Sequence, residues 1–475
     1  MTQFLGSLYV LIVAGMSIYG LMGLLTVWLY WRHRHDTFTA TAVAPAELPA
    51  VTVQLPIYNE RYVVAQLVAA AVALDYPAAK LQIQIIDDST DDTAQIAAAL
   101  AANYQQQEVN VVHIRRPERV GYKAGALAYA LPQATGEFIA IFDADFLPPP
   151  DFLQKTIPHF HNNPQLGMLQ ARWDHLNGAE SPLTAAQAIA LDKHFAMEQT
   201  VRHRANLFPK FNGAAGVWRR ASIEDAGGWL DDTVCEDLCL STRAILKQWQ
   251  FRFLPDVTAP AELPSSISAY KNQQARWAKG SMQCLLKYGP DILQTPHYSL
   301  TARLYALLSM SAYVTHVLVL LLLLLQVPLI YLNYQFSAYM ALFSIAGIGQ
   351  PVLFVLGQRV LYADWRWRLR YFPTLLLIAI GMAPSNSRAL LEAAGRHSHE
   401  FVRTPKKGMD NGRRAPSTYK LPFDWILFVE IFLFLYAALG LTLALHKGQF
   451  GALFLLLMCL LGFGYVIYLS LREIL

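Results

Sequence analysis

No charged side chain occurs between Met1 and Trp31, and the apolar run from about Leu8 to Trp31 is long enough to cross a hydrocarbon core of about 30 Å. Such a stretch cannot belong to an ordinary water-soluble core. It ends in "WRHRH", and Ala42-Val43-Ala44 further on has the form of a cleavage site. The leading segment lacks basic residues and the positive cluster follows the oil, so an uncleaved span with its carboxyl end in the cytoplasm is expected. Four more apolar runs lie in the last third, at about Leu304 to Leu332, Tyr339 to Leu356, Trp425 to Leu445 and Ala452 to Leu471. The basic loops "GQRVLYADWRWRLR" and "FVRTPKKGMDNGRR" should both face the cytoplasm. The short apolar segment between them, "FPTLLLIAIGMAP", then reads as interfacial or re-entrant, which gives five spans with the amino terminus outside and the carboxyl terminus inside.

The whole chain is 54% hydrophobic and 15% charged, well under the roughly 25% charged of soluble domains. A net charge of +4, from 38 basic and 34 acidic side chains, is too slight to argue for nucleic acid. Cys235, Cys239, Cys284 and Cys459 show neither zinc-like spacing nor an extracellular disulfide framework, so a reducing, cytosolic setting is expected for the polar part.

Between Ala50 and about Leu263 the pattern changes to short apolar strands separated by helices. "AVTVQLPIYNE", "LQIQIIDDST", "NVVHIRRP" and "GEFIAIFDADF" read as strands whose carboxyl ends are polar. Strands spaced by helices imply an α/β domain with a mostly parallel sheet, which binds ligands beyond the carboxyl ends of its strands. Asn59, Glu60, Asp87, Asp88, Asp143 and Asp145 all fall there.

Two carboxylates at i, i+2, Asp143 and Asp145, repel each other unless positive charge sits nearby, and a hydrated divalent ion would supply it; a solvated turn before "LPPP" is the plainer alternative. The chemistry such groups could run together is transfer from a nucleotide diphosphate. Lys123, opening a helix in "GYKAGAL", would add a point charge near the phosphates, unless it is an ordinary surface lysine. In "TVCEDLCLSTRAI", Glu236 and Asp237 open an amphipathic helix, and Asp237 is the candidate general base; capping of the first helical turn is the alternative. "NQQARWAKGS" places Gln273, Arg276 and Trp277 within one turn just before the oily tail.

Asp87-Asp88, Asp143-Ala144-Asp145, Glu236-Asp237 and Gln273…Arg276-Trp277, in that order, resemble the DD, DxD, ED and QxxRW motifs of membrane-embedded family 2 glycosyltransferases. "LQARWDHLN", "FNGAAGVWRR" and "SNSRALLEAAGRHSHEFVRTPK" are similar to the cellulose-synthase-like mannan and glucan synthases and their bacterial relatives. The resemblance runs from Pro56 to about Lys406. It implies an α/β GT-A glycosyltransferase domain joined to an α-helical transmembrane bundle with interfacial helices. The parts would be an N-terminal span at 1–35, a cytosolic catalytic domain at 50–263, interfacial QxxRW helices at 264–300, two spans at 301–358, an interfacial segment with a gating-like loop at 359–423, and two spans at 424–475.

The resemblance also assigns residues. It implies donor contacts from Pro56, Tyr58, Glu60, Asp87, Asp88, Lys123, Asp143, Gln273 and Arg276, with Mg2+ or Mn2+ on Asp143 and Asp145. Glu236 and Asp237 would be catalytic, and Phe211, Asn212, Gly213 and Trp277 would meet the acceptor. Phe401, Val402, Thr404 and Lys406 resemble a cytoplasmic gating loop over the nucleotide, with an anionic-lipid-binding loop as the alternative. The expected function is an inverting, processive synthase that builds a β-1,4-linked glucan or mannan from a UDP-glucose- or GDP-mannose-class donor onto a growing glycan. Synthesis would be coupled to export through a bacterial-type plasma membrane or a Golgi-like equivalent, amid membrane lipids. A non-processive glycolipid β-glycosyltransferase is the alternative, and a transporter or scaffold with a degenerate sugar-binding domain a third reading that the intact acidic motifs disfavour.

Overall fold

The computed structural model describes residues 1–40, 43–336, 340, 342–395, 406, 408 and 422–474. Its polar middle is built on a seven-stranded sheet of β1 (Val51–Ile57), β2 (Leu81–Asp87), β3 (Val111–Arg115), β4 (Phe138–Ile141), β5 (Leu166–His175), β6 (Gly216–Arg219) and β7 (Gln250–Ala261), in the order β3-β2-β1-β4-β6-β5-β7. The pairs β3/β2, β2/β1, β1/β4 and β5/β7 are parallel, whereas β6 runs antiparallel to both β4 and β5. The expected mostly parallel sheet is therefore present, extended by three strands that the apolar pattern does not announce.

Helices on both faces bury the central strands, which explains why β2 is an unbroken buried run. The polar residues within these strands pair across them. Thr52 lies opposite Gln82 and Gln54 opposite Gln84, with the Thr52 hydroxyl donating to the Gln82 carbonyl oxygen at 2.8 Å and the Gln54 amide to that of Gln84 at 2.9 Å. A slip of one residue would leave these buried groups without those partners, so the bonds fix the register as well as satisfying the groups.

The strand order places the site. The chain builds β1, β2 and β3 outward and then crosses back to set β4 on the other side of β1, a reversal that opens a crevice between the carboxyl ends of β1 and β4. Because β6 is antiparallel to β4, with Gly216 opposite Ile141, the residues leading into β6 lie beside those leaving β4. The carboxyl ends of β5 and β7 reach the same edge.

Thr2–His33, Val314–Tyr331, Ile426–His446 and Phe450–Ile474 are long and apolar enough to cross a membrane. Two of the expected spans differ in the structure. The Leu304 to Leu332 run breaks at a turn over residues 311–313 into Leu300–Met310 and Val314–Tyr331. The Tyr339 to Leu356 run gives, within the described residues, the shorter apolar helix Ile345–Leu361. "FPTLLLIAIGMAP" belongs to a pair, Trp365–Gly381 and Ala383–Ala394, bent by 46°, the shape of a broken span or a re-entrant loop.

Candidate active site

The sheet edge opens into a cleft of about 1340 Å3, lined by Pro56, Tyr58, Glu60, Asp88, Lys123, Asp143, Asp145, Asn212, Gly213, Glu236, Asp237, Gln273, Arg276, Trp277 and Lys406 among others. Residues separated by more than three hundred positions thus share one space.

At its centre the Lys123 ammonium lies 2.5 Å from Asp143 and 3.7 Å from Glu236, and donates to the Gly213 carbonyl at 3.1 Å. Burial alone would lower its pKa, but the charges of Asp143 and Glu236 outweigh that and raise it, so Lys123 stays cationic. Asp237 is pushed the other way, up to about 7, by burial first and by the Glu236 charge second, against the opposing pull of Lys123. A carboxyl so tuned is poised to take up a proton near neutral pH.

Two glycines permit this packing. Gly213 has φ +82°, and a side chain there would place Cβ 3.0 Å from an Asp237 carboxylate oxygen. Gly280 lies where a Cβ would meet Cys235 Sγ at 2.2 Å, which lets the 28-residue helix Ile267–Gln294 rest directly on the residue before Glu236. Ser266 caps that helix, its hydroxyl accepting from the Ala269 amide at 3.2 Å. Gln273, Arg276, Trp277, Gln283 and Lys287 line the cleft from one helical face.

Trp277 stands with its ring centroid 6.4 Å from that of Trp173, which in turn packs edge-on to Phe146 at 5.2 Å and donates its indole N–H to the Ala214 carbonyl at 3.1 Å. Trp173 closes the end of β5 and lines the cleft. Sequence patterning alone does not mark it, although an aromatic near a strand's carboxyl end is the available signal. Nor does the sequence pattern mark Arg116 and Arg119. Arg116 grips both Asp88 oxygens at 2.6 and 2.7 Å and donates to the Tyr122 carbonyl at 2.8 Å, tying the end of β2 to the helix that carries Lys123. Arg119 stacks 3.4 Å from the Tyr58 ring centroid and 4.7 Å from that of Tyr122.

Two expected contacts are not brought into the cleft. Asp87 points the other way, its side chain fully enclosed, accepting from the Ser89 amide at 2.8 Å and meeting His113 at 3.0 Å. Burial would raise its carboxyl, but the His113 and Ser89 hydrogen bonds prevail and hold it below the ordinary value. Alternation along β2 explains the split between the neighbours Asp87 and Asp88. Phe211 is buried against Trp218, ring centroids 5.1 Å apart, and so supports Asn212 from below without facing the cleft. Asn212 is held by the Gln199 amide at 2.5 Å and by His194 at 3.1 Å. Phe401, Val402 and Thr404 lie outside the described residues, whereas Lys406 reaches the cleft and pairs with Asp145. Burial opposes the Lys406 charge, but Asp145 prevails and raises its pKa.

Asp143 and Asp145 thus each carry an ammonium group, which shows that this edge draws positive charge. Among the described residues no group of three or more His, Cys, Asp or Glu side chains is arranged to hold a metal. The two aspartates nevertheless suit a hard divalent ion of the Mg2+ or Mn2+ kind, which accepts oxygen ligands from one or two carboxylates and completes its shell with phosphate and water.

Residues 49–280 match the family described as Glycosyltransferase like family 2, and the chain carries a glycosyltransferase domain of that family. Its sheet is the GT-A-like arrangement expected from the motifs. Over 268 residues the chain is 40% identical to Glucomannan 4-beta-mannosyltransferase 2 of Arabidopsis thaliana, covering 56% of this chain and 50% of the relative. Over 265 residues it is 42% identical to Probable glucomannan 4-beta-mannosyltransferase 3 of Oryza sativa subsp. japonica, covering 55% of this chain and 48% of the relative. The matched stretch spans about half the length of these relatives. Among solved structures, a mannosyltransferase from Pyrobaculum calidifontis in complex with GDP-Man and Mn2+ shares the fold at a TM-score of 0.57 and 21% identity, covering 82% of this chain and 99% of that one.

Proposed function

We propose that the chain is a membrane glycosyltransferase that lengthens a β-1,4-linked mannan or glucan from a nucleoside diphosphate hexose, inverting the anomeric centre and feeding the product into its own helical bundle. The observation that carries this is the placement of Asp237, Lys123 and Trp277 around one cleft. Lys123 and Arg276 neutralise the donor diphosphate from two sides, while Trp277 and Trp173 offer the terminal acceptor sugar apolar surface. Asp237 takes the proton of the attacking hydroxyl as its oxygen bonds to the anomeric carbon; the bond from that carbon to the diphosphate oxygen breaks, and the nucleoside diphosphate leaves with its electron pair. A divalent ion on Asp143 and Asp145 would add further neutralisation of the leaving diphosphate.

Support for a polymer over a single lipid-linked sugar comes from a line of polar groups running from the Trp277 helix into the apolar bundle. The Tyr313 hydroxyl donates to Gln274 at 2.9 Å, and His316 meets Asn386 at 3.1 Å. The amino terminus then lies outside and the catalytic cleft in the cytosol. Donor identity divides the class further, and the relatives' names favour mannose. The test is a panel of labelled UDP- and GDP-sugars with Mg2+, Mn2+ or chelator, followed by linkage analysis. A long product cut by β-mannanase or β-glucanase, and lost with chelator, is expected; a one-sugar lipid product alone refutes the reading.

A further inference from the structure

The helix that carries Gln273, Arg276 and Trp277 is fastened at its other face to the last two apolar helices. The amides of Ile267 and Ser268 both donate to the Glu473 carboxylate, the second at 3.1 Å, so a charge near the end of Phe450–Ile474 occupies the amino terminus of the Ile267–Gln294 helix. One turn further on, the Lys271 ammonium lies 2.6 and 2.8 Å from the two Glu430 oxygens and donates to the Ser470 hydroxyl at 3.1 Å. Lys271 is 7% exposed and Glu430 fully enclosed. Neither lines the cleft.

Such an arrangement is a costly way to glue helices together. Desolvating two charges offsets much of their attraction, and an apolar pair of similar volume often holds as well or better. What a directional pair adds is a single roll and height for the helix. Trp277 follows Lys271 by six residues, about 9 Å along a rigid helix, so a roll at Lys271 is carried directly to the cleft. The neighbouring helix repeats the device: Arg388, which lines the cleft from Ala383–Ala394, grips both oxygens of Asp424 at 2.7 Å, and Asp424 accepts from the Ile426 amide to cap the helix bearing Glu430.

We infer that Lys271, Glu430, Ser470 and Glu473 are positioning residues, which set Arg276 and Trp277 against the acceptor and lock the cleft in register with the helical bundle. The inference rests on the transfer reading above. Its test compares wild type with the double variant Lys271→Met/Glu430→Leu, which removes both charges and leaves none stranded. Thermal stability, donor hydrolysis without acceptor, and elongation of a short oligosaccharide are measured on each in lipid nanodiscs.

The double variant should keep its melting temperature and hydrolyse donor within about twofold of wild type, while the KM for acceptor rises about tenfold and products shorten, since displacements near 1 Å are enough for losses of that order. Lys271→Arg, which keeps the charge, should recover most of the acceptor KM. Glu473→Gln, which alters only the helix cap, should show the same split in milder form. A double variant with wild-type acceptor KM, or with hydrolysis and elongation reduced in equal proportion, overturns the inference; so does an unfolded double variant accompanied by a Glu473→Gln protein indistinguishable from wild type. Wild-type elongation is the reference in every arm, so its absence refutes the transfer reading, whereas a wild-type-like double variant refutes the positioning alone.

Discussion

Replacing Asp237 by Asn should make the protein more stable at pH 8 and unable to transfer sugar. Burial and the neighbouring Glu236 raise the Asp237 carboxyl from 3.8 to about 7. Each pH unit of that gap corresponds to about 1.36 kcal/mol, so keeping this group ionised costs the fold on the order of 4 kcal/mol above neutral pH. The sign follows from which form the fold prefers. Below pH 4 the group is neutral whether the chain is folded or not, and Asp and Asn are nearly equivalent. Between pH 4 and 7 the unfolded chain releases the proton and the folded one retains it, so wild type progressively loses stability relative to Asp237→Asn; above 7 the difference is constant. Melting curves of both proteins from pH 4.5 to 8.5 should therefore diverge and then run parallel. In the same range kcat/KM of wild type should climb with a midpoint near 7, since the ionised fraction of the free enzyme's base sets it. A less stable Asp237→Asn protein at pH 8, or near-normal synthesis by it, would refute the reasoning.

Lys123→Met removes an ammonium charge that lowers the Asp237 carboxyl by direct attraction, so the midpoint of the kcat/KM profile should move above 7 while nucleoside diphosphate affinity falls about tenfold or more, read by calorimetry. Gly280→Ala forces a methyl group to within 2.2 Å of Cys235 Sγ; parting the two helices should cost about 1–3 kcal/mol, visible as a lowered melting temperature together with reduced transfer. Arg116→Met leaves the nearly enclosed Asp88 carboxylate without its bidentate partner and should destabilise the domain by about 3–5 kcal/mol, unlike Arg116→Met/Asp88→Leu, which a melting series would show to be much closer to wild type. Trp277→Ala should harm elongation more than donor hydrolysis, and equal losses in the two assays would contradict a stacking role for its ring.

How far such a fold can be read from its residues depends on which interactions hold each part. Strands β1, β2 and β4 are legible because each is a short, almost wholly buried run, β3 because its valines and Ile114 stand out between polar stretches, and the acidic residues that follow β1, β2 and β4 have little reason to gather at one edge other than chemistry. The later strands are hidden for separate reasons. β6 has only four residues, and β5 carries Arg172, Trp173 and Asp174 where its end leaves the core for the cleft. β7 contains Pro255 and Pro260, which argue against a central strand; it is tolerated because β7 lies at the sheet's edge. In the helical tail, length and oiliness mark the three helices Val314–Tyr331, Ile426–His446 and Phe450–Ile474, but the turn over residues 311–313 follows no proline or glycine and is not announced by composition.

The same division runs through the site. Chemistry-bearing residues stand out in the chain, since paired carboxylates and an Arg-Trp step are costly to place without a purpose. Their orientations do not stand out. Asp87 and Asp88 look alike on paper, yet His113 on β3 claims the first and Arg116 the second, and only the strand order β3-β2-β1 decides which of them faces the crevice. The Lys271–Glu430 pair joins two segments 159 residues apart, and nothing in either segment names the other. Spacing rules report contacts within one element; a cleft assembled from strand ends, an amphipathic helix and a membrane tail is fixed by contacts between elements. The residues that perform the reaction are therefore visible earlier than those that aim them, and variants at the aiming positions are where the reading of this protein meets its sharpest tests.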